Sequence, residues 1–429
     1  PLKEISPANI FPGLRENIEP ENRETAAAEY KKLFDEFINA MEKIRHKEEN
    51  IKLWFEHFES LMLTFTSAIP AARAGNVVPD VSLYDHSKSV AALAAALYLY
   101  HRNTDTMSVK AICDCDLKKF LLISGDFYGI QNFIFSDSGE AGKRRSKILR
   151  GRSFAVSLLC ELAADMICRT IGLPSTSILL NAAGKFTIVS HNTQTVRQAV
   201  KDVEFRVNDW LIKNTCGESA IGISTIEAAP ENFIAGKFSA LYDLLAAKMA
   251  KRKFEKFDLD RYGGTVDGFL NDFDNNLKPP LCPYCGKRPS HQAAESFKET
   301  PDDKSMCRIC RDHIFLGKKI VTKDRIAITT KGADIHNVDA KLLEPIFGEY
   351  QAAFIDGDLR KMASDGQLLK YWDISIDLEG NIAKDVTSRF INGYVPIYKE
   401  EDNYDDQART GVPITFEHIA CKALNLGKE

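Results

Sequence analysis

The fold of this chain is best anticipated from the stretch Leu121-Leu122-Ile123-Ser124-Gly125-Asp126-Phe127-Tyr128-Gly129-Ile130-Gln131-Asn132-Phe133-Ile134-Phe135. An apolar run leads into Asp126, a glycine interrupts it, and a second apolar run resumes at once. The first run, Phe120–Ser124, predicts a strand, and the second run predicts a helix. The strand would hold the Asp126 carboxylate rigidly, and the start of the helix offers free N–H groups to a phosphate. The stretch therefore indicates a site for a nucleotide or a nucleic acid.

A dense basic segment follows within one predicted loop. Its six cations are Lys143, Arg144, Arg145, Lys147, Arg150 and Arg152. Because few acids compensate them, they predict an RNA-binding surface beside the nucleotide site. A solvated basic loop is the alternative interpretation. For Asp126, the alternative is that its carboxylate simply caps the next helix.

The composition is that of an ordinary globular protein. Of 429 residues, 44% are hydrophobic and 27% are charged, and the formal net charge is −4. That charge excludes a uniformly basic nucleic-acid-binding protein but allows a local basic groove, because salt screens distant charges. No apolar run approaches the ~20 residues that span a bilayer, so no membrane partner is expected. At roughly 100–200 residues per domain, the length predicts two to four domains.

The first residues and the cysteine content bear on two questions: whether the chain is part of a longer protein, and in which redox compartment it lies. The first residue is Pro1, and nothing near it resembles a signal peptide, so we expect a fragment of a longer protein. Ten cysteines are few for this length, which indicates a reducing cytoplasm. Cys113 and Cys115 lie in Cys-Asp-Cys-Asp, for which a two-ligand metal site and a solvent loop are the alternatives.

The spacing of apolar residues predicts an α+β protein. Before residue 103, spacings of three and four predict a layer of three helices. From Lys119 to Ile226 the pattern predicts βαββαβ, the order of a ferredoxin-like sandwich. Two of its strands are joined by the hairpin turn Asn181–Lys185, in which Gly184 tolerates positive φ. We divide the chain into a helical layer at 1–115, the sandwich at 116–230, a helix plus cysteine module at 231–330, and a mixed α/β segment at 331–429.

Two Cys-x-x-Cys pairs predict a zinc site. Cys282 and Cys285 precede Cys307 and Cys310 by a loop of 21 residues. Four thiolates at such spacing can surround one zinc ion tetrahedrally, and the long loop costs little closure entropy. Because four thiolates leave no open coordination position, we expect the zinc to be structural, with one ion per chain.

A second candidate metal site lies at the start of a predicted helix. Asp85 and His86 are adjacent there and could act as catalytic metal ligands, as in metal-dependent phosphohydrolases. The chain contains no His-Asp dipeptide, so the usual partner pair is missing. The alternative is that Asp85 lies favourably near the positive end of the helix dipole.

The predicted nucleotide site lacks the acids of a two-metal enzyme. Asp126 is the acid of the first strand, Tyr128 stands where a second acid could help, and the hairpin Ala182–Lys185 contains none. One carboxylate cannot organise two metal ions. We therefore expect a unit that contacts a nucleotide through Asp126, Gly129, Gln131 and Gly184 without being catalytic alone.

These segments resemble the large subunit of type III-A CRISPR–Cas effector complexes, the Csm complexes. The likeness lies in Pro79–His86, Ser124–Phe135, Leu149–Phe154 and the two Cys-x-x-Cys pairs, in the family's order. It covers nearly the whole chain. Members of this family are built from an HD nuclease domain, a first palm, a zinc-bearing linker, a second palm with Gly-Gly-Asp-Asp, and a helical domain.

The resemblance implies two activities and several partners. The activities are cleavage of single-stranded DNA and synthesis of cyclic oligoadenylates from ATP with Mg or Mn, both switched on by pairing of CRISPR RNA with target RNA. The partners are those nucleic acids and other Csm subunits, especially the small subunit and the repeat-binding subunit.

This chain departs from the family pattern, because neither the HD dipeptide nor Gly-Gly-Asp-Asp occurs in it. Residues 1–115 would be the rear of an HD-type domain, 116–230 a degenerate first palm, and 331–429 a joining segment. We expect a scaffold that supplies one wall of the ATP site. The alternatives are a non-catalytic protein or RNA interaction module of the same complex and an independent palm-type nucleotidyl cyclase.

Overall fold

The structure is a computed structural model. It describes residues 4–6, 20–72, 80–136, 144–261, 280–297, 305–355, 357, 359–375, 382–389, 398, 414 and 418–419. Within these ranges it contains ten α-helices and two four-stranded sheets, so the predicted α+β class is confirmed. None of the described helices combines the length and the apolar character needed to cross a membrane.

The helical layer contains the three predicted helices. They are α1 (Arg23–Met41), α2 (Ile51–Thr66) and α3 (Leu83–Asn103), followed by one short turn, α4 (Val109–Ile112). Each long helix begins after a side chain that accepts a backbone N–H, namely Asn22, Asn50 or Ser82. Such caps satisfy donors that have no partner inside the helix.

The first sheet has the predicted βαββαβ connectivity. Its elements are β1 (Phe120–Tyr128), α5 (Ile130–Phe135), α6 (Arg145–Ile171), β2 (Ile178–Ala182), β3 (Lys185–His191), α7 (Gln194–Thr215) and β4 (Ala220–Ala228). The strands lie in the order β2-β3-β1-β4, and all the pairs are antiparallel. This arrangement is a ferredoxin-like sandwich.

Strand β1 is longer than predicted. It continues past Ser124 to Tyr128, because β3 and β4 pair with it on both sides: Asp126 lies opposite Lys185 of β3 and Gly222 of β4. Asp126 is therefore inside the strand rather than at its end. The residue that caps α5 is Gly129, with φ of 82°, so the interpretation of Asp126 as a helix cap is wrong.

The two faces of the first sheet pack against different helices. Alternate side chains of β1, including Leu121 and Ile123, pack beneath α6 and α7 in the main core. Phe120 and Leu122 face the other way, towards α3 and a further helix, α8 (Phe238–Arg252). By the same alternation, Asp126 lies on the face covered by α3 and α8.

The remaining described residues build a second sheet against α6. Its elements are α9 (Arg308–Lys319), β5 (Arg325–Thr330), β6 (Tyr350–Ala353), α10 (Arg360–Ser364), β7 (Leu368–Asp373) and β8 (Thr387–Ser388). The strand order is β6-β5-β7-β8. The main core is continuous from β1 through α6 to Ile326 of β5 and Trp372 of β7. The four-part division of the chain stays a prediction, and β5, at the end of the third part, pairs with β6 and β7 of the fourth.

A buried ionic cluster also joins these parts. Lys370 of β7 contacts Asp165 of α6 at 3.1 Å and Glu56 of α2 at 3.4 Å. Arg389, just after β8, contacts Glu56 and Glu161 of α6. The cluster thereby fixes α2, α6 and the second sheet to one another.

Candidate functional site

The first Cys-x-x-Cys pair lies in a tight knuckle. The N–H of Cys282 donates to the carbonyl of Arg288 at 2.8 Å, and the N–H of Gly286 donates back to the carbonyl of Cys282. Gly286 has a φ of 63°, which a glycine adopts at little cost. These bonds turn the chain so that both sulfur atoms point to the same side.

The second Cys-x-x-Cys pair opens helix α9. Cys307 is the N-terminal cap, and its sulfur accepts the N–H of Cys310 at 3.4 Å. A short helix start therefore presents these two sulfurs on one side, next to the free N–H groups of the first turn. Backbone N–H groups directed at sulfur stabilise a thiolate.

The four sulfurs fit a tetrahedral metal ion. All four cysteines are buried, and their sulfur atoms lie within 4.8 Å of one another. The sulfurs of Cys285 and Cys307 are 3.9 Å apart, close to the edge of about 3.8 Å that a zinc–sulfur distance of about 2.3 Å implies. The residues of this site therefore fit a tetrathiolate metal centre. In the described part of the chain, no other set of three or more potential ligands comes together in this way.

The four thiols of this site bond one another, and a cation, Arg288, lies beside them. Hydrogen bonds from neighbouring thiols lower the pKa of Cys285 and of Cys307, whereas the pKa of Cys282 and of Cys310 is raised by the same mutual bonding. Burial acts to lower the pKa of Arg288, but Cys307, Cys310 and Cys285 outweigh it and raise that pKa. A permanent cation thus lies beside a group that carries net negative charge when four thiolates hold a divalent ion.

Asp126 is buried between two lysines. Its carboxylate is 3.1 Å from the Nζ of Lys253, which follows α8, and 4.0 Å from the Nζ of Lys185 on β3. The side chain of Asp126 is 6% exposed, whereas both lysine side chains are more than half exposed. The three groups together carry one positive charge at the surface of the sheet, a charge that favours an anion such as phosphate.

The neighbouring Tyr128 adds a neutral hydroxyl to this face. Its ring covers Gly222 of β4, where any added methyl group would overlap it. Burial, reinforced by Asp126, raises the pKa of Tyr128, so the phenol stays protonated. Its buried hydroxyl has no hydrogen-bond partner among the described residues.

The predicted glycines form the rim beside Asp126. Gly129 has a φ of 82°, and a Cβ there would lie 2.5 Å from the carbonyl oxygen of Glu218. Ala183 and Gly184, with φ of 53° and 79°, form the predicted hairpin turn, and the Gly184 carbonyl accepts the N–H of Phe127. Gln131 is exposed on α5. The structure thus brings Asp126, Gly129 and Gly184 to one end of the first sheet.

Two functional candidates at this site escaped prediction, namely Lys185 and Lys253. Lys185 is visible in the sequence as the last residue of the hairpin, and the antiparallel register places it opposite Asp126. Lys253 directly follows α8, more than 120 residues from Asp126 in the sequence, so no local pattern indicates it.

The basic segment is helical rather than a loop. Lys143 lies outside the described residues. Arg144 is the buried cap of α6, and Arg145 and Lys147 occupy its first turn, exposed and half-buried respectively. Arg150 donates to the carbonyl of Gly317, and burial lowers its pKa.

Arg152 has a clear packing role. It is buried and donates to the carbonyls of Ile134 and Ser136 at 3.1 and 2.7 Å, which joins the end of α5 to α6. The solvated-loop interpretation is wrong for residues 145–152. RNA binding by this segment stays a prediction.

Asp85 and His86 lie apart from the other candidates. Both are exposed at the start of α3. The hydroxyl of Ser82 donates to the Asp85 carboxylate at 2.7 Å and accepts the Asp85 N–H at 2.9 Å, so Asp85 closes the N-terminal cap. No set of three metal-ligating side chains among the described residues includes either of them.

The chain is similar to several known proteins. The family model described as Csm1 subunit domain B matches residues 119–263. The CRISPR system single-strand-specific deoxyribonuclease Cas10/Csm1 (subtype III-A) of Methanocaldococcus jannaschii is 28% identical over 310 residues, which cover 60% of this chain and 38% of that protein. Its counterpart from Mycobacterium tuberculosis is 26% identical over 280 residues, or 60% of this chain and 33% of the relative. The chain thus spans less than half the length of these curated relatives.

Solved structures show the same fold. A Csm1-Csm4 subcomplex of the type III-A CRISPR-Csm interference complex aligns with 84% of this chain and 40% of its own, with a TM-score of 0.55 and 19% identity. A Csm1-Csm4 cassette in complex with cA4 aligns with 90% of this chain and 42% of its own, with a TM-score of 0.55 and 17% identity. The resemblance to the large subunit of type III-A CRISPR complexes is thereby confirmed, and residues 119–263 are the part that matches the Csm1 subunit domain B model.

Proposed function

We propose that this chain is part of the large subunit of a type III-A CRISPR RNA-guided complex and supplies its scaffold and one wall of an ATP site. The observation that carries the proposal is Asp126 held between Lys185 and Lys253 on the α3 and α8 face of domain B. The whole subunit would be a target-RNA-activated single-strand DNase and cyclic oligoadenylate synthase. In that subunit residues 1–115 would be the rear of an HD-type domain.

The lysines would contact the phosphates of ATP. Both lysine side chains are more than half exposed, and their ammonium groups lie 3.1 and 4.0 Å from Asp126, so each ammonium can exchange the carboxylate for a phosphate oxygen while the fold stays intact. Charge-assisted bonds of this kind are stronger than neutral ones. Gly129 is exposed beside Asp126, so a ligand held by the two lysines would lie next to this glycine.

Mg or Mn, supplied with ATP, would neutralise phosphate charge in the intact subunit. Among the described residues proposed here to contact the nucleotide, Asp126 is the one acid, and a single carboxylate does not position two metal ions. We therefore infer that the remaining carboxylates belong to a second palm, and that this chain alone makes no cyclic oligoadenylate.

The four-cysteine site would hold a structural zinc ion. The burial of all four sulfurs and their spacing support zinc, and four thiolates leave no coordination position for a substrate. We expect the protein in the cytoplasm, where thiols stay reduced. Its partners would be CRISPR RNA, target RNA, single-stranded DNA and other Csm subunits. Among those subunits, the solved neighbours are themselves named as assemblies of Csm1 with Csm4.

ATP binding by the purified chain tests the proposal. We expect Lys185→Gln and Lys253→Gln each to weaken binding about fivefold in calorimetry, equivalent to roughly 1 kcal/mol. Lys251→Gln is the matched control, because Lys251 lies two positions from Lys253 and pairs with Glu255 instead of Asp126. Equal affinity in all three variants, or no binding by the unchanged protein, would overturn the ATP wall and favour the interaction module.

A further inference from the structure

Arg288 connects the four-cysteine site to the end of helix α7. Its Nη1 donates to the carbonyl oxygen of Asn214 and lies 3.8 Å from the sulfur of Cys216. The backbone carbonyl of Arg288 accepts the N–H of Cys282, one of the four candidate metal ligands, at 2.8 Å. Burial acts to lower the pKa of its guanidinium, but Cys307, Cys310 and Cys285 outweigh burial and raise that pKa. Arg288 therefore bonds a residue of the candidate metal site through its carbonyl and the last turn of α7 through its side chain.

Both partners of Arg288 carry negative charge. Four thiolates around a divalent cation leave a net charge of about −2. The C-terminus of a helix carries a partial charge of about −0.5, concentrated on carbonyls that lack partners inside the helix. The planar fork of arginine directs several N–H donors at fixed angles, so it can satisfy both groups at once. A lysine ammonium at this position would serve one of them.

The segment after α7 connects the contacts of Arg288 to Gly129. Cys216 and Gly217, with φ of 53° and 72°, reverse the chain, and we call residues 216–218 the α7 turn. Lys287, next to Arg288, pairs with the carboxylate of Glu218. Lys256 donates to the carbonyl of Gly217 at 2.9 Å and to that of Glu218.

The α7 turn packs tightly against the end of β1. A Cβ on Gly129 would approach the Glu218 carbonyl oxygen to 2.5 Å, which is too close for any residue but glycine. Two residues further on, Ala220 pairs with Tyr128 in the sheet. Any shift of the Glu218 carbonyl would therefore change the packing at Gly129.

We propose that Arg288 is a positioning residue through which metal bound by the four cysteines holds the α7 turn in place against Gly129. The link goes beyond the nucleotide wall, because it requires no nucleotide. It predicts that the metal orders a backbone segment of domain B that contributes no ligand to it.

Metal affinity gives the first half of the test. We expect Arg288→Gln to bind metal with 10- to 100-fold lower affinity. Two measurements give that affinity: zinc release to a chromophoric chelator, and titration with Co²⁺ monitored by thiolate charge-transfer absorption. Arg308→Gln is the matched control, because Arg308 directly follows Cys307 but its guanidinium contacts Glu344 and the Leu343 carbonyl. The control should keep the affinity of the unchanged protein.

Hydrogen exchange gives the second half. We expect the amides of 214–219 and 129–133 to exchange faster when zinc is stripped from the unchanged protein. In zinc-saturated Arg288→Gln they should exchange as in the stripped protein, and in Arg308→Gln as in the loaded one. Arg288→Lys, which keeps the charge but loses the fork, should give intermediate exchange and serves if the glutamine variant does not fold.

Two results would overturn the proposal. One is exchange at 214–219 that does not depend on zinc in the unchanged protein. The other is a zinc-saturated Arg288→Gln in which the α7 turn is as protected as before. Neither result bears on ATP binding, so the proposed ATP site is tested independently of this proposal.

Discussion

Gly151 of α6 and Gly317 of α9 pack backbone against backbone where the two helices cross. A Cβ on Gly151 would lie 1.8 Å from the carbonyl oxygen of His313, and one on Gly317 would lie 1.8 Å from that of Lys147. The contact is reciprocal, so each helix presents its one side-chain-free position to the carbonyl of the other. This crossing attaches α9, the helix capped by Cys307, to the ferredoxin-like sandwich.

Alanine at the crossing should destabilise the protein. In Gly151→Ala or Gly317→Ala, the added methyl meets a backbone oxygen that moves only with its whole helix. Overpacking costs about 1–3 kcal/mol or more, which exceeds the gain of about 1 kcal/mol from replacing a helical glycine. Denaturant unfolding should therefore show a lower free energy of unfolding. Gly332→Ala, where a Cβ meets nothing within 4 Å, should leave it nearly unchanged.

Removing the buried ammonium of Lys370 should be far more costly than removing an exposed one. Lys370→Met leaves Asp165 and Glu56 buried without their shared cation, and breaking a buried pair costs about 3–5 kcal/mol. The same substitution at Lys31, whose pair with Asp35 is largely exposed, should cost less than about 0.5 kcal/mol. Similar midpoints of unfolding for the two variants would contradict the structural role of the cluster.

His57 should make the protein sensitive to acid. Burial, with smaller effects of His46 and Arg325, lowers the pKa of His57 to about 3, and its Nδ1 accepts the N–H of Thr387 at 3.0 Å. The folded state therefore binds the proton less readily than the unfolded state, whose histidine pKa is 6.5. Its contribution to stability is present above pH 6.5 and is lost as the pH falls towards 3.

The variant His57→Asn isolates this effect, because an amide oxygen can accept the same N–H without titrating. Between pH 6 and 4, the unfolding free energy of the unchanged protein should fall more steeply than that of the variant, by up to about 1.4 kcal/mol per pH unit. Parallel curves would mean that His57 is not buried as a neutral imidazole.

Metal content checks the four-cysteine site. Elemental analysis of protein purified without chelator should find about one zinc ion per chain, and Cys282→Ser or Cys310→Ser should reduce it severalfold and lower the unfolding temperature. Cys113→Ser is the control, since Cys113 is exposed and belongs to no cluster of ligands among the described residues. A metal-free but equally stable protein would refute the structural zinc.

The features that can be predicted from this sequence are those determined by a few consecutive residues. The cysteine site is predictable because each Cys-x-x-Cys pair fits within four residues, and the Ala183–Gly184 turn is predictable because positive φ restricts residue choice. The end of β1 was missed because Gly125 and Asp126 interrupt the apolar pattern. Pairing with strands more than 50 residues away extends it.

The roles of Lys253 and Arg152 could not be predicted for a related reason. Lys253 meets Asp126 only after α8 has packed on the sheet. The partners of Arg152 are carbonyls exposed by the end of α5, which exist only once that helix has formed. Residue type reveals that a cation is present, but tertiary structure decides whether it meets a ligand or a backbone oxygen.

Helix α6 couples the position of its crossing with α9 to the position of the buried ionic cluster. The crossing at Gly151 and the carboxylate of Asp165 are 14 residues apart, or about 21 Å along a rigid helix axis. A tilt of about 5° around the crossing would move Asp165 by roughly 2 Å. That displacement is large against its 3.1 Å contact with Lys370. A small rotation of α6 at its crossing with α9 would therefore displace Asp165 enough to disrupt the buried ionic cluster at Lys370.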